Sequence, residues 1–258
     1  TIFLIAEVTA VSILMNYISG IELWITALIV ITSSLFYTLY GGLRASIITD
    51  NIQFIVFIVF LLISFSFLFS FNTNEFNFEF INKNKPKLIS KDYLPNFTAG
   101  LTFFIAVAAT NLFHQGNWQR VYAAKNNNVL KNSLLFSFLI IIPIVYMMGF
   151  TGLVSVSKNL SVIPDLAFFS LLLNKEIPLL SIIVIVLGIS LTISSIDTLI
   201  NAISSLIIVD GKKILSSNKD YLKLSRNIII GLSFIALYGA SKGFSILYLF
   251  LLADLFCC

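Results

Sequence analysis

The chain has 258 residues, of which 58% are hydrophobic and only 11% charged, with a formal net charge of +4 and a mean hydropathy of +0.99. A soluble globule of this length needs more polar surface, and a β-barrel would alternate apolar and polar residues over strands of about ten rather than run apolar for about twenty. What remains is an all-α, polytopic integral membrane helical bundle.

Eight apolar segments follow one another, at roughly 1–17, 22–39, 47–71, 98–119, 133–156, 178–209, 224–240 and 243–258. Most reach the ~20 residues that cross a hydrocarbon layer ~30 Å thick, so the spacing predicts a single transmembrane domain over 1–258 with about eight helices. Thr1 stands where a Met would open a complete chain, and the last residues, "FLLADLFCC", carry no polar flank; the sequence reads as an internal piece of a longer one. Cys257 and Cys258 are adjacent and set no disulfide framework.

With alternating spans, three of the connections share one side. They hold Arg44, Arg120, Lys125, Lys131, Lys212, Lys213, Lys219, Lys223 and Arg226 against Asp210 and Asp220. The lysines of the other side stand beside Glu75, Glu79, Asp92, Asp165 and Glu176. Short basic loops face the cytoplasm, so the excess positive charge reports topology in the cell membrane and not nucleic-acid binding.

Inside the spans the ionisable side chains are Glu7, Asp50, His114, Asp197 and Asp254. A carboxylate at mid-bilayer costs about 2.5–3.5 kcal/mol on insertion scales, so such groups face a bundle interior or a water-filled path. Glu7 and Asp254 fall in the two end segments and are expected at the interface. Asp50 follows the glycine pair of "YTLYGGLRASIITDNIQ" (37–53), where Gly41 and Gly42 give a tight turn and Arg44 anchors at the headgroups. It suits either a helix N-terminus or the wall of an aqueous path. His114, in "FHQGNWQR", suits either a packed role or a solute pathway, and Trp118, Gln119 and Arg120 are expected as interfacial anchors.

The sixth segment carries the strongest signal, in "SLTISSIDTLINAISSLIIVD" (190–210). At about 100° per residue, Ser190, Ser194, Asp197, Thr198, Asn201 and Ser205 fall on one third of the helix while most of the isoleucines lie elsewhere. Hydroxyls alone would be explained by interhelical hydrogen bonds of about 0.6 kcal/mol each. A carboxylate beside paired serines asks for more: hydroxyl, carbonyl and carboxylate oxygens suit a hard cation, with sodium or a proton as the natural occupant.

Taken together, "YTLYGGLRASIITDNIQ", "QGNWQRVYAAKN" and "SSIDTLINAISSLIIVD" resemble three signature regions of the sodium:solute symporter family, in the same order, and with the span pattern the resemblance covers essentially the whole chain. It implies an inverted-repeat (LeuT-like) transporter of five plus five helices, with the segments here as core helices 3 to 10 and a site near the bilayer midplane. It also implies that a sodium ion is held by Ser194 and Ser195 with the carbonyl of Leu191, and by broken core helix 1, which lies outside this chain. A further sodium would sit near Asp50 with Ser194, Asp197 and Thr198. Solute contacts would fall near Thr110, Asn111, His114 and Gln115. Ile141 stands where sugar-transporting members place a lysine, which disfavours sugars; an amino acid, a carboxylate or urea stay open, and "HQGNWQR" resembles urea and polyamine members.

The expected activity is sodium-coupled symport of a small solute. No His and Cys metal cluster, phosphate-binding glycine loop or nucleophile-base pair suggests an enzyme. A transporter-like sensor domain fused to a signalling kinase is the main alternative; a channel would need polar stripes on several spans, and a structural subunit would not need Asp197 beside Ser194.

Overall fold

The computed structural model of the chain describes all residues except 70–77, 91, 159, 161, 162, 175, 176, 216–219 and 258. Glu75, Glu176, Lys219 and Cys258 therefore lie outside the described residues. Eleven helices are numbered in chain order: α1 (Ile2–Ser19), α2 (Leu23–Phe69), α3 (Phe78–Asn84), α4 (Leu94–Phe113), α5 (Gln115–Tyr122), α6 (Asn127–Ser157), α7 (Ala167–Leu173), α8 (Pro178–Ser205), α9 (Gly211–Leu215), α10 (Tyr221–Ser241) and α11 (Ile246–Cys257). Among the described residues no strand is present. Among the described residues six helices are long and apolar enough to cross a membrane, and Leu23–Phe36, Pro164–Leu173 and Ile246–Phe256 are shorter apolar helices.

Local chemistry sets the helix ends. Gly20 closes α1 in the left-handed region (φ 69°) and donates its N–H to the Asn16 carbonyl. The Asn126 side chain caps α6 by accepting the Val129 N–H at 2.8 Å, and Asp220 caps α10 by accepting from Leu222 and Lys223. α2 is not one rod. Gly42 adopts φ 57°, ψ −155°, a region nearly closed to side-chain-bearing residues, and divides the helix into two arms at the glycine pair.

Four helices form the packed centre: α8 lies against α1 and α2, and α10 closes on α1 and α2. Leu4, Val8 and Val11 of α1, Val30 and Ile31 of α2, Ile196 and Ile200 of α8, and Ile229 and Ala236 of α10 meet in one apolar cluster. Small residues permit the close approach, as is common between membrane helices. Gly188 of α8 sits under Leu14, and a Cβ at Gly239 of α10 would lie 2.7 Å from Ile5. In contrast, α4 and α6 expose Phe97, Phe104, Phe136 and Phe138, a surface suited to lipid tails.

The segment between α6 and α8, read from sequence as a polar connection, folds into a one-turn helix (Pro164–Leu166) and α7. Leu166, Phe168 and Leu172 of this segment are buried in a second apolar cluster.

Candidate functional site

The polar face of α8 is where the fold and the chemistry meet, and the structure divides it between neighbours. Consecutive helical residues point about 100° apart, so Asp197 and Thr198 turn to different partners. Asp197, 0% exposed, faces the first arm of α2 and accepts a hydrogen bond from Thr38 Oγ1 at 3.1 Å. Thr198 faces α5 and a cavity. The expected grouping of Asp197 with Ser194 and Thr198 around one ion is therefore not what the structure has.

Asp50, on the second arm of α2, does meet α8. Ser194 Oγ donates to Asp50 Oδ1 at 2.6 Å. Arg120 completes the cluster, with Nη2 2.6 Å from Asp50 Oδ2 and 2.7 Å from Thr198 Oγ1, which itself donates to the Ser194 carbonyl at 3.0 Å. A guanidinium thus engages Asp50 and Thr198, two of the four side chains expected around a second sodium. Arg120 is no surface anchor. It reaches inward because the chain breaks at His114 (φ −76°, ψ 108°) between α4 and α5. Gly116, Gln119 and Arg120, spaced to share one face of α5, then lie against α8. Gln119 Nε2 donates to the Asn201 carbonyl at 3.2 Å, and a Cβ at Gly116 would fall 2.5 Å from Thr198 Cγ2. Trp118, on the other side of α5, stays 40% exposed, as an interfacial anchor would.

A cavity of about 650 Å³ opens beside this cluster, walled by α1, α4, α5, α8 and α11. Thr110, Asn111 and His114 line it together with Ser194, Ser195, Thr198 and Arg120. Gln115, on the first turn of α5, is not among its wall residues, and neither is Leu191, whose carbonyl accepts from Ser195 Oγ at 3.3 Å. Phe3, Phe103 and Phe250 supply aromatic walls; the Phe3 and Phe250 rings lie 5.6 Å apart and Phe3 stands edge-on to His114.

Three further wall residues are carboxylates that sequence reading put elsewhere: Glu7, Asp165 and Asp254. Glu7 of α1 shares the cavity wall with Ser195 of α8. Asp254, 7% exposed, accepts from Thr110 Oγ1 at 2.6 Å. Asp165 accepts the Ile246 N–H at the start of α11 (3.3 Å). Glu7 and Asp254 stand in the cavity wall because α1 and α11 turn those faces to the bundle interior, something a position near the end of the sequence does not reveal.

Helices long enough to span, packed around a cavity with carboxylates in its wall, are those of a multi-pass membrane protein. The chain belongs to the sodium:solute symporter family, whose sequence model matches residues 1–242; its members move solutes across membranes and are not enzymes. It is similar to the spermidine transporter DUR31 of Candida albicans (strain SC5314 / ATCC MYA-2876), with 24% identity over 259 residues, covering 98% of this chain and 48% of the relative. The chain thus spans about half the length of that curated relative. No solved structure matches it. Among the described residues no three His, Cys, Asp or Glu side chains gather as a metal cluster. The oxygen donors around Ser194 and Ser195 are instead of the hard type that an alkali cation accepts.

Proposed function

We propose that this chain forms core helices 3 to 10 of a sodium-coupled importer in the plasma membrane, one transmembrane domain over 1–258, and that its solute is a small organic cation. Sodium meets Ser194, Ser195 and the Leu191 carbonyl; solute enters the adjoining cavity past Thr110, Asn111 and His114; rocking of the bundle releases both to the cytoplasm. Moving one charge down 100 mV releases about 2.3 kcal/mol, enough for about fifty-fold accumulation.

The observation that carries the solute class is the charge of the cavity. Asp254 and Asp165 join Glu7 in its wall, while Arg120, the arginine that lines it, is engaged by Asp50. Carboxylates beside the rings of Phe3, Phe103 and Phe250 suit an ammonium group, which is attracted both by charge and by the faces of aromatic rings. A carboxylate solute would meet repulsion there, and urea would leave the charge unbalanced. The spermidine transporter among the relatives supports the same class.

The test is uptake into proteoliposomes containing the intact protein, with labelled spermidine, an amino acid, urea and a monocarboxylate offered in parallel. Spermidine or another amine is expected to enter fastest with an inward sodium gradient, and Asp254→Asn to reduce that uptake by about tenfold or more, as removal of one partner of a buried charge pair does. Preference for the monocarboxylate, or full activity of Asp254→Asn, would contradict the assignment.

A further inference from the structure

Two carboxylates flank the serine pair of α8, and they are not equivalent. Ser194 donates to Asp50, and Asp50 already holds Arg120 at 2.6 Å. Its charge is matched within the protein. Ser195 shares the cavity wall with the other carboxylate, Glu7 of α1. No lysine or arginine among the described residues pairs with Glu7. Its neighbours on α1, Ala6 and Val8, are fully buried, so the carboxylate projects from the packed part of the helix into the cavity wall.

A carboxylate among membrane helices is neutralised by a proton or by a compensating cation. Asp50 has a cation that is covalently part of the chain; Glu7 is left to a proton or to a cation that comes from outside it. The oxygens that share the cavity wall with Glu7 are those a small hard cation accepts: the Ser195 and Ser194 hydroxyls, with the Leu191 carbonyl bonded to Ser195 behind them. The geometry points to Glu7, and not Asp50, as the carboxylate that binds the coupling sodium. This rests on the proposed sodium-coupled reading of Ser194 and Ser195, and adds a charged ligand from a different helix. An ion bridging Glu7 and Ser195 ties α1 to α8. Arg120 in the meantime holds Asp50, so the charge of that carboxylate is matched within the protein.

The test is equilibrium binding of radioactive sodium to the purified intact protein in detergent, with no solute present. Glu7→Gln is expected to weaken sodium binding by about thirtyfold or more, the loss typical when one partner of a buried charge pair is removed. Glu7→Asp, which keeps the charge on a shorter arm, is expected to retain binding with a weaker dissociation constant. Ser195→Ala is the reference variant. If Ser195→Ala weakens binding and both Glu7 variants bind as the parent does, Glu7 is not a ligand and this inference alone falls. If Ser194→Ala, Ser195→Ala and Glu7→Gln all bind sodium unchanged, the sodium site itself is misplaced and the underlying reading falls with it. Should Glu7→Gln fail to fold, an unaltered sodium affinity in Glu7→Asp overturns the inference and a weakened one supports it. A parent protein that binds no sodium and transports on a proton gradient, with Glu7→Gln insensitive to that gradient, overturns the choice of ion.

Discussion

At the scale of single residues, the Asp50–Arg120 pair and Asp197 separate roles that look alike in sequence. The pair is partly exposed, with Arg120 at 36% and Asp50 at 19%, so its worth lies between that of a surface bridge and a buried one. Arg120→Met and Asp50→Asn are each expected to lower stability by about 1–3 kcal/mol, and the double variant by less than their sum, because each single change leaves a charge without its partner. Thermal unfolding in detergent reads this coupling; strictly additive losses would show that the two side chains do not act together. Asp197→Asn should behave differently. Asp197 is sealed against Thr38 and away from the cavity, so the substitution is expected to lower the unfolding temperature while sodium affinity stays within about twofold of the parent. A large loss of sodium affinity would return Asp197 to the ion site. The helical wheel of α8 identified the polar face correctly as a face, but only the neighbours decide that Asp197 meets α2 while Thr198 meets α5. Glu7 and Asp254 were legible as carboxylates in apolar runs and were expected at the interface; that they face the cavity was not legible, since it depends on how α1 and α11 pack.

At the scale of elements, the spans were written in composition and length, and the turn at Gly42 in the glycine pair of the second and third segments. Shorter structure was harder to see. The run 98–119 reads as one continuous apolar segment, yet it breaks at His114, and the break lets α5 swing onto α8 and deliver Arg120. Gly116 was the available signal. α7 escaped notice because "DLAFFSLLL" is too short to span and is flanked by charge, while its burial comes entirely from tertiary contact. Gly116→Ala offers a direct check on the α5–α8 docking. The added methyl meets Thr198 Cγ2 at 2.5 Å and His114 Cε1 at 2.9 Å, so α5 must lift away and uptake and thermal stability should both fall. Gly149→Ala and Gly152→Ala on α6, where nothing lies within 4 Å, are expected to be neutral or stabilising by up to about 1 kcal/mol through helix propensity alone. Equal behaviour of all three variants would mean that α5 does not pack this closely.

At the scale of the whole molecule, two charged devices lie along one cavity. Arg120, fixed between Asp50 and Thr198, lies at the α5–α8 contact, while Glu7, Asp254 and Asp165 make the remaining wall acidic. A cationic solute and a sodium ion are both drawn inward by this field and by a negative interior potential, so uptake should be electrogenic and should rise with membrane potential. The most direct measurement is uptake by proteoliposomes of the intact protein at zero membrane potential, with an inward sodium gradient as the only driving force. Labelled amine is expected to rise transiently above its equilibrium level and to lose that overshoot in Ser194→Ala and Ser195→Ala. Uptake of the same size and time course with choline replacing sodium would contradict sodium coupling.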